Sequence, residues 1–396
     1  MISGRAKALK PSPTLAISAI EKSLKAKGVD VAGFGAGEPD FPTPEHIKAA
    51  AIKAITENFT KYTPATGTDE LKDAVIEKFK RDNGLTYSRE EVIITCGGKH
   101  ALFNLLQAII DEGDEVIIPV PYWVSYPPMV ELCGGKPVFL ETHEEENFEI
   151  DFKRLKTLLS TKTKAIILNY PSNPAGSVYS VETLRQIGEL AVERNLIIIS
   201  DEIYEKIAYD SYEHVSIASI DEKIKERTII CHGVSKTYSM TGWRIGFAAG
   251  NKEIIKAMGN IQSQSTSNPT SISQAAALSA LTGPQDSVTR MVEEFKRRRD
   301  YIVRELNSIP GIKCFNPKGA FYVFPNFKAI IGKRHKERVI DSSTTLTQML
   351  LEDYHVAVVP GIEFGKEGYL RLSFATSMDV IQKGIERIQK AVEALS

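Results

Sequence analysis

Short runs of β-branched and aliphatic residues recur along the middle of the chain, each followed by a glycine-bearing or polar turn and then a segment with helical spacing. The runs are Glu91-Val92-Ile93-Ile94-Thr95, Glu115-Val116-Ile117-Ile118, Ala165-Ile166-Ile167-Leu168, Leu196-Ile197-Ile198-Ile199, Thr228-Ile229-Ile230-Cys231 and Arg244-Ile245-Gly246-Phe247-Ala248-Ala249. Six strands suffice for a full sheet, and unbroken apolar runs that alternate with amphipathic segments specify a parallel sheet covered by helices. Residues 101–110 and 181–193 carry the clearest covering helices. The second is opened by Ser180, with Glu182 and Thr183 in its first turn. The pattern predicts an α/β fold.

After Gly283-Pro284 the pattern changes. A basic helix over 293–307 leads into Gly319-Ala320-Phe321-Tyr322-Val323-Phe324 and later Val356-Ala357-Val358-Val359-Pro360-Gly361, which reads as a smaller α+β domain. The strand-like Asp30-Val31-Ala32-Gly33-Phe34 is cut off from the sheet by Pro39, Pro42 and Pro44 and belongs with that smaller unit. The expected division is a large domain over 46–290 and a small domain built from 1–45, including an N-terminal arm, together with 291–396. A chain of 396 residues is too long for one compact core.

Composition narrows the function. At 42% hydrophobic and 25% charged, with 49 basic against 50 acidic residues, the chain lacks the charge excess that nucleic acid or an anionic membrane requires. Lys296-Arg297-Arg298-Arg299 reads as the solvated face of its helix. No apolar run approaches the roughly 20 residues needed to cross a bilayer, and the N-terminal stretch has no apolar core of signal-peptide length. Cys96, Cys133, Cys231 and Cys314 lie far apart with no CxxC pair, so neither a metal site nor a disulfide framework is expected. These features predict a cytoplasmic protein acting on small molecules.

Ligands of open parallel sheets bind beyond the carboxyl ends of the strands. Gly97-Gly98-Lys99 follows the first run and opens a helix, which suits a phosphate, although a glycine turn with a surface lysine has the same form. Pro121-Tyr122-Trp123 follows the second and supplies a ring able to stack or to pack in the core. Asn169-Tyr170-Pro171-Ser172-Asn173-Pro174 follows the third, with Asn173 offering an amide or forming an Asx-turn. Ser200-Asp201-Glu202-Ile203-Tyr204 ends the fourth, placing an acid where burial is costly unless a cation meets it; a helix N-cap is the alternative. His232-Gly233-Val234-Ser235-Lys236 and Met240-Thr241-Gly242-Trp243-Arg244 follow the fifth, bringing an amine beside other cations that lower its pKa. Phosphate cradle, stacking ring, amide, carboxylate, phenol, amine and guanidinium together are what pyridoxal phosphate asks for.

On these residues, with Ala36-Gly37-Glu38-Pro39-Asp40-Phe41, Lys61-Tyr62 and Arg371-Leu372-Ser373, the sequence resembles the fold-type I pyridoxal-phosphate aminotransferases of class I, most of all the bacterial aspartate aminotransferases of the I-beta subgroup. The resemblance spans essentially the whole chain. It implies a mostly parallel large domain sandwiched by helices plus a smaller α+β domain, and the reversible transfer of the amino group of L-aspartate to 2-oxoglutarate by a ping-pong route. It further implies that Lys236 joins the cofactor aldehyde and shuttles the proton, that Asp201 holds the pyridinium nitrogen, and that Tyr204 and Asn173 bond the phenolic oxygen. Trp123 stacks on the ring, while Gly97, Gly98, Lys99, Ser235 and Arg244 surround the phosphate. Tyr62 reaches the phosphate from the other subunit of a homodimer. Arg371 grips the substrate α-carboxylate beside Gly37, Asn173 and Trp123, and Lys99 or Lys10 receives the side-chain carboxylate. The chain departs from the family pattern at Ala175, where threonine is usual, and at His100, where glutamine is common.

Other readings carry less. Gly33-Phe34-Gly35-Ala36-Gly37 suggests a dinucleotide site, but Glu38-Pro39-Asp40-Phe41-Pro42 follows it and no helix opens there. A DNA-binding regulator needs a basic recognition module that the chain lacks. The competing enzymes keep the cofactor: a prephenate or aromatic aminotransferase, or a C–S β-lyase.

Overall fold

The computed structural model describes residues 1–11 and 13–396. Its centre is a seven-stranded sheet of β1 (Val92–Thr95), β2 (Glu115–Val120), β3 (Lys136–Glu141), β4 (Thr163–Asn169), β5 (Ile197–Asp201), β6 (Thr228–Gly233) and β7 (Gly246–Ala249), in the order β1-β7-β6-β5-β4-β2-β3. All pairings are parallel except the two made by β7. No covering helix lies between β6 and β7. The segment that joins them folds as a compact turn carrying Ser235 and Lys236, and it returns the chain antiparallel.

The unbroken apolar runs are explained by helices on both faces. Ala165 and Ile167 of β4 pack with Leu102, Leu105 and Leu106 of the helix α1 (Gly98–Ile109). Their alternates Ile166 and Leu168 pack with Leu184, Ile187 and Leu190 of α2 (Val181–Arg194). Each such leucine or isoleucine removed from water contributes about 1.5–3 kcal/mol. Ser180 caps α2, its hydroxyl accepting from the Thr183 N–H at 3.1 Å.

All six sequence-derived strands enter this sheet; the seventh, β3, escapes pattern reading. It lies at the edge, carries Lys136 and Pro137, and leaves Phe139 exposed, so its apolar alternation is broken.

The C-terminal third builds a three-stranded antiparallel sheet of β8 (Tyr322–Val323), β9 (Val359–Pro360) and β10 (Leu370–Ser373), ordered β9-β10-β8. Ala32–Gly33 pairs in parallel with Val356–Ala357. One apolar cluster joins Phe34 and Tyr204 to Phe295, Phe321, Phe374 and Ile388. The basic helix is longer than its pattern suggests, α3 covering Asp286–Ser308. Its cationic face is not simply solvated. Arg298 and Arg299 are buried: Arg298 bonds Asp40 at 2.8 Å, and Arg299 bonds Asp210 and the Pro317 carbonyl while lying over the Tyr209 ring. Partners distant in sequence satisfy these guanidinium groups, which charge pattern alone does not reveal. Among the described residues no helix is long and apolar enough to cross a membrane.

Candidate active site

The carboxyl ends of β4, β5 and β6 and the start of α1 open onto one cavity of about 650 Å³, closed from the other side by β8, β10 and residues 36–38. Gly37, Gly98, Lys99, Trp123, Asn173, Asp201, Tyr204, Ser235, Lys236, Arg244 and Arg371 all line it. Residues separated by more than 300 positions thus converge. Gly97 sits just behind the lining, while Tyr62 and Lys10 do not line the cavity in the single chain. Tyr62 is 91% exposed, and the N-terminal segment reaches the cavity through Thr14, Ser18, Glu21 and Lys22 instead.

Local geometry shows why each turn has its sequence. Gly97 has φ of +94°, a region that L side chains avoid, and a Cβ there stands 2.3 Å from Nη2 of Arg244. Arg244 is itself left-handed, at φ +58°, with its guanidinium held by the Thr241 and Cys96 carbonyls at 2.8 and 3.3 Å. The first N–H groups of α1, those of Gly98 and Lys99, precede the helical ladder and have no side-chain cap. A concave patch of N–H donors beside a guanidinium is the result.

Asp201 is buried at the end of β5. Its Oδ2 accepts from the Tyr126 hydroxyl at 2.6 Å and its Oδ1 from the Ile203 N–H at 3.3 Å. No ion pair reaches it among the described residues, and burial pushes its carboxyl up to about 6 despite the Tyr126 bond. Asn169, the last residue of β4, donates to the Asp201 carbonyl and accepts from the Asn173 N–H, tying the two strand ends together. Trp123 stands edge-on to Tyr126, with ring centroids 5.3 Å apart, and the Lys99 ammonium lies 4.8 Å from the Trp123 ring centre.

Lys236 donates to the Gly37 carbonyl. Burial pushes its amine down to about 8, Glu38 opposes that shift, and Arg244 and Arg371 reinforce it. With that pKa about a tenth of the amine is free base at pH 7, far more than for an ordinary lysine. Arg371 is buried, its Nη2 on the Gly35 carbonyl at 2.7 Å and its Nη1 on Asn173 at 3.3 Å, while its Nε has no partner. A buried guanidinium without a carboxylate leaves capacity for an anion.

A profile of the aminotransferase class I and II family matches residues 29–388. The chain belongs to this family.

The relatives of this aminotransferase agree with the cavity's chemistry. It is 51% identical over 389 residues to an aspartate aminotransferase of Bacillus subtilis (strain 168), with 98% of each chain covered. It is 48% identical over 390 residues to an aspartate/prephenate aminotransferase of Nitrosomonas europaea, again with 98% of each covered. Among solved structures, the aspartate aminotransferase of Rhizobium meliloti superposes with a TM-score of 0.96 at 44% identity, covering 100% of both chains. The expected α/β architecture of fold-type I is what the aminotransferase has.

Two buried phenols at this aminotransferase site escape motif reading. Tyr126 lies three residues after Trp123 at the start of a helical turn, a spacing that places both on one side. Tyr322, whose hydroxyl lies 2.9 Å from that of Tyr204, sits in an apolar run and looks like core.

Proposed function

We infer that the protein is an aspartate aminotransferase working with pyridoxal phosphate. One observation carries the reading: a buried carboxylate without an ion pair, Asp201, an amine whose pKa burial lowers to about 8, Lys236, and a buried guanidinium with a free Nε, Arg371, face a single cavity. The donor set suits the cofactor. Gly98, the backbone of Lys99, Ser235 and Arg244 would hold the phosphate, Trp123 the ring face, Asp201 the protonated ring nitrogen, and Tyr204 with Asn173 the phenolic oxygen.

When bound, pyridoxal phosphate supplies an aldehyde that captures amines and a protonated ring that draws electrons away from the substrate α-carbon. The chain's own groups do the rest. Arg371 fixes the α-carboxylate as a planar fork, which orients the α-hydrogen. The Lys236 Nζ, once free, would take that proton from Cα as a general base. Asp201 keeps the ring nitrogen protonated and so sets the rate without touching substrate. Lys99 offers the second cation that an acidic side chain needs.

The subunit arrangement belongs to the same proposal. Tyr62, exposed in one chain as Phe59 and Ile55 are, would complete the phosphate site of a second copy in a homodimer. A large domain over 46–290 and a small one from 1–45 and 291–396 would then flank the cavity of a cytoplasmic enzyme. The Nitrosomonas relative favours a second reading, in which prephenate is also accepted.

A panel assay tests this. Amino acids with 2-oxoglutarate, and prephenate with glutamate, should show the highest kcat/KM for aspartate and glutamate. Release of thiol and pyruvate from cystathionine, without amino transfer, overturns the reading in favour of a C–S lyase. Borohydride reduction of the cofactor-loaded protein should mark Lys236 on peptide mapping, and a label on a different lysine removes the site assignment.

A further inference from the structure

Resting on that cofactor reading, we propose that Tyr322 is a positioning residue whose hydroxyl donates to Tyr204 and thereby turns the Tyr204 proton toward the cofactor's phenolic oxygen. Tyr322 belongs to β8, on the smaller sheet, and is fully buried; Tyr204 follows β5 of the large sheet. Their hydroxyl oxygens are 2.9 Å apart.

Two phenols hold two protons, and only one of them lies on the line between the oxygens. Which one is decided by charge. The Arg371 guanidinium carbon is 4.7 Å from the Tyr322 ring centre, and its positive charge makes the Tyr322 O–H the more polarised donor. The Tyr204 oxygen is therefore the acceptor, and its own proton is free for the cavity that Tyr204 lines. Strand pairing holds the arrangement: Tyr322 is registered with Ser373, two residues beyond Arg371 on β10. Gly37 covers the pair closely, since a Cβ added there comes within 3.1 Å of the Tyr322 hydroxyl. One phenol thus joins the strand that binds the carboxylate to the group that tunes the cofactor.

The experiment is a spectrophotometric pH titration of the bound cofactor's visible band in wild type, Tyr204→Phe, Tyr322→Phe and the double variant. A donor to the phenolic oxygen favours its ionised form, so weakening that donor raises the midpoint. Tyr322→Phe should raise it by about half a pH unit, a threefold change in the acid constant. Tyr204→Phe should raise it further, and the double variant should match Tyr204→Phe. Because phenylalanine keeps the ring under Arg371, Tyr322→Phe should lower kcat for aspartate with KM changed less than about twofold. A wild-type midpoint in Tyr322→Phe, or a Tyr322→Phe shift that persists undiminished in the Tyr204→Phe background, overturns the proposal. A wild type with no visible band overturns the cofactor reading, whereas a Tyr204→Phe variant with a visible band and no shift overturns the placing of Tyr204 on the phenolic oxygen and the proposal with it.

Discussion

The Tyr126 hydroxyl donates to Asp201 at 2.6 Å, and both residues are buried. This bond holds the carboxylate ionised in a place where burial favours the protonated form. Tyr126→Phe removes the donor without changing the shape. The Asp201 carboxyl should then titrate higher than its present value of about 6, and the acid limb of kcat/KM for aspartate should move upward in pH. Loss of a hydrogen bond to a charged group costs about 1.5–3 kcal/mol, so activity at pH 7 should fall roughly ten- to hundredfold. An unmoved acid limb contradicts the role.

Asp201 also opposes folding of the cofactor-free chain. Its carboxyl titrates near 6 when folded against 3.8 for the free side chain. A raised acid contributes stability that is fully present below the unfolded value and lost as pH rises through the folded one. Asp201→Asn should therefore make the cofactor-free protein more stable than wild type above pH 6, by on the order of 3 kcal/mol, and the gap should close toward pH 4. The same variant should abolish turnover. Denaturant midpoints of the two proteins across this pH range check the sign.

Lys99 lines the cavity with its ammonium over the Trp123 ring, within the glycine turn of the phosphate cradle. Its amine is held below the usual lysine range by partial burial and by Arg244. Lys99→Ser should lower kcat/KM for aspartate and glutamate by about ten- to hundredfold and leave aromatic substrates within a few-fold. Equal losses across all substrates point to the phosphate as its partner instead.

Gly97→Ala combines a forbidden backbone angle with a collision against Arg244. It should weaken cofactor binding by the cofactor-free protein at least about tenfold and cost about 1 kcal/mol or more of stability. Quenching of tryptophan fluorescence on cofactor addition measures the first, and thermal melting the second.

Much of this site is legible in the chain because parallel strands deliver their following residues to one edge. The ends of the runs at Asn169, Asp201 and Gly233 announce a ligand site before any contact is known. Other features are invisible at that level. Nothing local distinguishes Tyr322 from core, or Arg298 and Arg299 from solvated cations, since Tyr204, Asp40 and Asp210 lie 118, 258 and 89 positions away. The reach of Lys10 is likewise not a local property; it is the helix Pro13–Ala26 that brings side chains to the cavity.

By itself the sequence determined the strand periodicity, the helix that opens at Gly98, and the stock of reactive groups, because these follow from backbone sterics and the spacing of apolar side chains. Only the tertiary structure decided which phenol meets Asp201, which meets Tyr204, and that Arg371 arrives from the other sheet with one nitrogen unengaged. Those pairings depend on where distant elements pack, and packing is set by the shape and burial of the whole core.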